Sequence, residues 1–119
     1  MITVTFELEP REGKSADYFE PAGSLRPTLQ AMDGFISVKR VESLSTPGRY
    51  LSLSFWRDEE AVRNWRCTGM HRDAQQGRAQ ILTGYRLRVA AVMRDYGLHE
   101  REQTPTDSLA LLGYGALAR

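Results

Sequence analysis

Along the first residues, MITVTFELEP, apolar Ile2, Val4, Phe6 and Leu8 alternate with Thr3, Thr5 and Glu7. That period of two predicts a strand with one buried face. The period then changes. Ser15 stands where an N-cap is expected, and Tyr18, Ala22, Leu25, Leu29 and Met32 follow at steps of four and three, drawing one apolar stripe along a helix. Pro21, Gly23 and Pro27 interrupt the stripe. A break is therefore expected between Ala22 and Ser24, with Ser24 capping a second piece and Pro27 tolerated in its first turn.

Gly34 in MDGF is expected in the left-handed conformation beyond the last helical residue. A second strand, Phe35 to Leu44, and a third, Arg49 to Trp56, flank STPGR; Pro47-Gly48 suits the centre of a type II turn, so the two form an antiparallel hairpin. Asp58 caps the next helix, with Glu59 and Glu60 in the first turn at the positive end of the dipole. Ala61, Val62 and Trp65 share one face of it, and Gly69 breaks it before a second piece carrying Met70, Ala74 and Gly77. TGYRLRVAAVM is the fourth strand. The order β-α-β-β-α-β defines an α+β, ferredoxin-like domain over residues 1–97, followed by a C-terminal tail, 98–119.

The third strand is apolar on both sides, with Leu51, Leu53 and Phe55 on one and Tyr50 and Trp56 on the other. Helices cover one face of such a sheet, and a second sheet is the natural cover for the other. In a chain of 119 residues and 13.5 kDa this predicts a homodimer, a dimeric α+β barrel.

Charge narrows the partners. Sixteen Lys and Arg against fifteen Asp and Glu give a net charge of +1, so no electrostatic footprint for nucleic acid is expected. No run approaches the roughly 18 apolar residues that a spanning helix needs, and the N-terminus has no secretory pattern, so no membrane partner is expected and a cytoplasmic location is. The single cysteine, Cys67, agrees with a reducing compartment.

The run GFISVKRVESLSTPGRYLSLSFWRDEEAVRNWR, followed by HRDAQQGR and YRLRVAAVMRDYG, resembles the antibiotic biosynthesis monooxygenase family, over Met1 to about Ser108. The resemblance implies a dimeric ferredoxin-like barrel and insertion of oxygen from O2 into a flat aromatic or polyphenolic molecule, with no metal, flavin or other cofactor. In a neighbouring branch it implies oxidative opening of haem. The cofactor-free branch carries an asparagine four residues before a tryptophan that ends the third strand. Trp56 matches the tryptophan, and Ser52 stands at the asparagine position. The haem-opening branch carries a first-strand asparagine, a tryptophan on the second helix and a histidine three turns on. Trp65 matches the tryptophan, but the other positions fall at Thr5 or Phe6 and at Gln75, which leaves iron without its protein ligand.

Oxygen chemistry without a metal needs a base to form a substrate anion, a donor or cation to hold it, and apolar walls against water. The catalytic candidates are His71, Trp56 and Arg86. An imidazole pKa near about 6.5 suits His71 to the role of base. The substrate-binding candidates are Trp65, Phe6, Tyr18, Phe19, Ser52, Gln75 and Arg88. His71, Gln75 and Arg78 lie at i, i+4 and i+7, one polar stripe. Arg86 and Arg88 have the parity opposite to Tyr85, Leu87 and Val89, and one or both are expected to face the helices.

Plainer roles compete with each of these. Trp65 on an apolar stripe reads first as core packing and His71 beside Arg72 and Asp73 first as a solvated residue, while Arg86 and Arg88 read equally as dimer ion pairs. Cys67 and His71, four apart, are too few for a metal site. Two alternatives to the oxygenase remain: a non-catalytic small-molecule-binding or stress-related dimer on the same fold, and a haem-binding protein.

Overall fold

The computed structural model of the protein describes residues 1–68 and 77–108. The chain runs β1 (Ile2–Pro10), α1 (Ser15–Ser24), α2 (Arg26–Gln30), β2 (Phe35–Glu42), β3 (Tyr50–Trp56), α3 (Glu59–Arg66), α4 (Arg78–Ile81) and β4 (Leu82–Ala91). The strands form one antiparallel sheet in the order β2-β3-β1-β4, with β1 and β3 at its centre. This is the expected α+β ferredoxin-like arrangement. Among the described residues no helix is long and apolar enough to cross a membrane.

Residues paired across antiparallel strands project to the same face. Phe6 is opposite Ser52 on β3 and Leu87 on β4, so the even residues of β1 share a face with Ser52, Ser54 and Trp56 and with Tyr85, Leu87 and Val89. The helices cover the part of this face over β1 and β3, leaving two buried clusters there, while Tyr85, Leu87 and Val89 on the edge strand β4 stay exposed. Leu29, Trp56, Ala61 and Val62 form one, with Ile2, Val4 and Trp65 packed against it. Phe6, Leu8 and Leu82 form the other, with Tyr18, Tyr50 and Ile81 around it. Burial of a side chain such as Leu29 or Val62 contributes roughly 1.5–3 kcal/mol.

Local signals placed the turns. Gly34 has φ +83°, and its carbonyl accepts from Arg57 N at 2.7 Å. A Cβ there would come within 2.6 Å of the Ala61 Cβ, so the glycine is also what lets β2 begin against α3. Gly48 has φ +88°, and Arg49 N donates to Thr46 O, closing the turn around Pro47-Gly48. The Asp58 carboxylate accepts from Ala61 N at 2.9 Å, the expected cap of α3.

Several boundaries differ from the sequence reading. Strand β2 stops at Glu42 and β4 at Ala91, and Leu44 and Met93 beyond them are exposed to solvent. Ser15 is the first residue of α1, and the capping position is Lys14, with no side-chain cap. The first helix runs through Pro21 to Ser24 and breaks one residue later than expected, at Leu25. Ser24 caps nothing; its hydroxyl donates back to Glu20 O at 3.1 Å, a bond available only inside a helix. Pro27 sits in the first turn of α2, where its missing N–H is not needed.

Candidate functional site

Between the two buried clusters the helices stand off the sheet, leaving a cavity of about 670 Å³. Two rows of cross-strand neighbours make its floor: Arg40, Ser52, Phe6 and Leu87, then Val38, Ser54, Val4 and Val89. Tyr18, Leu25 and Leu29 from α1, α2 and the residue between them, Val62 and Trp65 from α3, and Arg78 and Ile81 from α4 enclose it from above. The volume suits an organic molecule of drug-like size, and the walls are mostly apolar and aromatic.

Trp56 is 2 % exposed and lines the cavity. Its indole N–H donates to Ser54 Oγ at 3.0 Å, and Phe35 meets the ring edge-on at 5.3 Å. Trp65 is only partly buried and also lines the cavity. Trp56 is the deeper of the two rings, and Trp65 packs against the same cluster while lining the cavity.

The polar end of the cavity is cationic. The Arg78 guanidinium lies 4.6 Å from the centre of the Phe6 ring and 5.7 Å from that of Tyr85. Burial draws it below the usual arginine range, with Tyr18 and Tyr85 opposing that shift. Arg40 reaches the floor from β2, and its Nε is buried with no hydrogen-bond partner. Burial raises the Tyr18 hydroxyl above its ordinary pKa, while Arg40 and Arg78 pull in the other direction. The net result is a phenol kept neutral between two guanidinium groups. Asp17 also lines the cavity, but it pairs with Lys14 at 3.4 Å.

Of the residues singled out from sequence, Phe6, Tyr18, Ser52, Trp56 and Trp65 line this cavity together. Phe19 stands behind it, edge-on to Tyr18 and Tyr50. His71 and Gln75 lie outside the described residues. Arg86 and Arg88 require a correction, because neither faces the helices. Arg86 is paired with Glu7 and Arg88 with Thr5, both on the uncovered face, where Arg88 makes an ion pair with Glu7 at 3.5 Å. The face is set by their strand partners, and β1 commits its apolar even residues to the helices.

Arg40 was missed. The signal lies in its alternation with Lys39 and Val41 in phase with Val38, but an irregularity in register between Phe35 and Ser37 hides it from counting along the strand. Among the described residues no group of three His, Cys, Asp or Glu side chains could hold a metal ion.

The sequence profile of the antibiotic biosynthesis monooxygenase family matches residues 1–77. The chain belongs to this family. A curated relative, the jasmonate monooxygenase ABM of Pyricularia oryzae, is 44% identical over 107 residues, covering 89% of this chain. The chain spans half, 50%, of that relative's length. Two solved structures share the fold at low identity. Rv0793 of Mycobacterium tuberculosis is 18% identical with a TM-score of 0.74, covering 81% of this chain and 98% of its own. SnoaB, a cofactor-independent oxygenase of Streptomyces nogalater solved as a mutant, is 12% identical with a TM-score of 0.69, covering 79% and 94%. Trp56 is a buried residue beside the cavity, with Ser52 on its floor.

Proposed function

We propose that this protein is a monooxygenase that uses O2 to oxidise a flat aromatic or polyphenolic molecule held in the cavity, without metal or flavin. The observation that carries the reading is the cavity itself: about 670 Å³, apolar and aromatic along its length, and cationic at one end. Apolar walls exclude water from a reactive anion, and a guanidinium lowers the energy of the anion as it forms. In a substrate of anthrone type, loss of a proton from the ring CH2 gives an electron-rich carbanion that reacts with O2. The CH2 becomes C=O, one oxygen atom stays in the product, and the other leaves as water with the two hydrogens.

His71 is the proposed base, on the strength of its imidazole chemistry alone. Oxygen uptake with an anthrone-type substrate, with the product read by mass, tests the proposal. His71→Ala is expected to lower turnover about 100-fold while leaving the thermal midpoint close to wild type. Unchanged turnover would remove His71 from the mechanism. No uptake across a broad panel of phenols would favour the non-catalytic binding dimer.

A second reading of the substrate is favoured by the 44% identity to a jasmonate monooxygenase. Under it the cavity takes a jasmonate-like molecule in place of the aromatic one. Including jasmonate in the panel separates the two.

We also propose that the uncovered sheet face is closed by a second copy of the chain. Leu51, Leu53 and Phe55 are partly buried there, beside exposed Val41. That apolar strip lies between charged rows formed by Lys39 on one side and Arg86, Arg88 and Glu7 on the other.

A further inference from the structure

Arg40 is the least explained charge among the described residues. It stands on β2 opposite Ser52, which is in turn opposite Phe6, so its side chain rises from the cavity floor. Its Nε is buried and unpartnered, and among the described residues no carboxylate pairs with it. Arg78 lines the same cavity and is likewise without an acidic partner among those residues, its charge resting on the Phe6 and Tyr85 rings. Two guanidinium groups sharing an apolar cavity repel each other and leave donors unsatisfied, a cost that folding alone does not offset. Tyr18 hydrogen-bonds Arg40 but, as a neutral hydroxyl, supplies no counter-charge, and the carboxylate among the described lining residues, Asp17, pairs with Lys14. A bound anion would supply one.

The free Nε of Arg40, on a guanidinium that also hydrogen-bonds the Tyr18 hydroxyl, narrows the anion. Nε and one terminal nitrogen of a guanidinium form a parallel pair of donors, which matches the two oxygens of a carboxylate better than the single oxygen of a phenolate. We propose that Arg40 is the specificity-determining residue of the cavity, binding the carboxylate of a substrate whose apolar body lies along Phe6, Val4 and Trp65. This rests on the reading of the cavity as the substrate site and adds the chemical class of what enters it. The aromatic and the jasmonate-like readings both accommodate it, since either kind of molecule can bear a carboxylate.

The test is titration calorimetry on the full chain with three probes of one shape: 2-naphthoate, its neutral amide 2-naphthamide, and 2-naphthol. Wild type is expected to bind the carboxylate about 10-fold or more tightly than either neutral probe, the range of a charge-assisted hydrogen-bonded pair. Arg40→Met should bring the carboxylate down to the level of the amide while leaving amide affinity within about 2-fold, and Arg40→Lys should recover only part of the difference. A carboxylate that binds no better than the amide, or an equal loss of all three probes in Arg40→Met at unchanged thermal midpoint, would overturn the assignment. The outcomes separate from those of the oxygenase reading. Arg40-dependent carboxylate binding without oxygen uptake sinks only the oxygenase, and oxygen uptake with charge-blind binding sinks only the role of Arg40. Failure of every probe to bind sinks the role of Arg40, and the oxygenase stands or falls on oxygen uptake.

Discussion

The Trp56 indole N–H donates to Ser54 Oγ at 3.0 Å, so the deepest ring beside the cavity is held by the hydroxyl two residues before it on the same face of β3. The hydroxyl is in turn 3.5 Å from Val4 O on the neighbouring strand. Removing it strands a buried donor. Ser54→Ala is expected to cost about 1–3 kcal/mol, read by denaturant unfolding. A neutral result would mean that water replaces the hydroxyl from the cavity side.

Trp65 should behave differently from Trp56. It is a partly buried wall, whereas Trp56 is 2 % exposed. Trp56→Ala is expected to cost about 3–5 kcal/mol. Trp65→Ala should cost distinctly less and instead weaken binding of a planar ligand by roughly 10-fold, the scale expected when a ligand no longer has an aromatic ring to stack on. Denaturation and ligand titration on the two variants check the contrast, and equal destabilisation would return Trp65 to the core.

Asp58 links stability to pH. Its carboxylate is held below the usual aspartate range, first by the Ala61 N–H and then by the Arg57 guanidinium. A carboxylate depressed in the folded state stabilises fully above its unfolded pKa, and that contribution is lost as pH falls through the folded value. Asp58→Ala should therefore lower the thermal midpoint at neutral pH, and the gap to wild type should close in strong acid. A gap independent of pH would show that the charge is not involved.

The uncovered face predicts an assembly. Leu53 lies at its centre, between Thr5 of β1 and Lys39 of β2. In sedimentation the wild type should run at twice 13.5 kDa, and Leu53→Arg should run as the monomer or aggregate. A wild-type chain that is monomeric and stably folded at micromolar concentration would rule out the second copy.

What the sequence determined by itself was whatever depends on neighbours along the chain. The alternation of Ile2, Val4, Phe6 and Leu8 defined β1 because a pleated strand turns every second side chain to one side. Gly34, the Pro47-Gly48 turn and the Asp58 cap were legible for the same reason, since each meets a demand of the backbone within a few residues. Phe6, Tyr18, Ser52, Trp56 and Trp65 could be gathered into one site because the element order places their faces toward each other.

Only the tertiary structure decided which charges enter that site. The parity of Arg86 and Arg88 against Leu87 was visible, but which of the two sets meets the helices depends on pairing with β1, where Leu87 falls opposite Phe6. Arg40 was hidden by a single irregularity. Counting by twos from Phe35 puts Ser37, Lys39 and Val41 toward the helices, yet the register shift after Phe35 moves every later residue of β2 to the other side, and Val38 and Arg40 face the cavity instead. One residue of slip inverts a whole strand, because the side-chain period is two, and nothing local in FISVKRVE records on which side of the bulge the count begins.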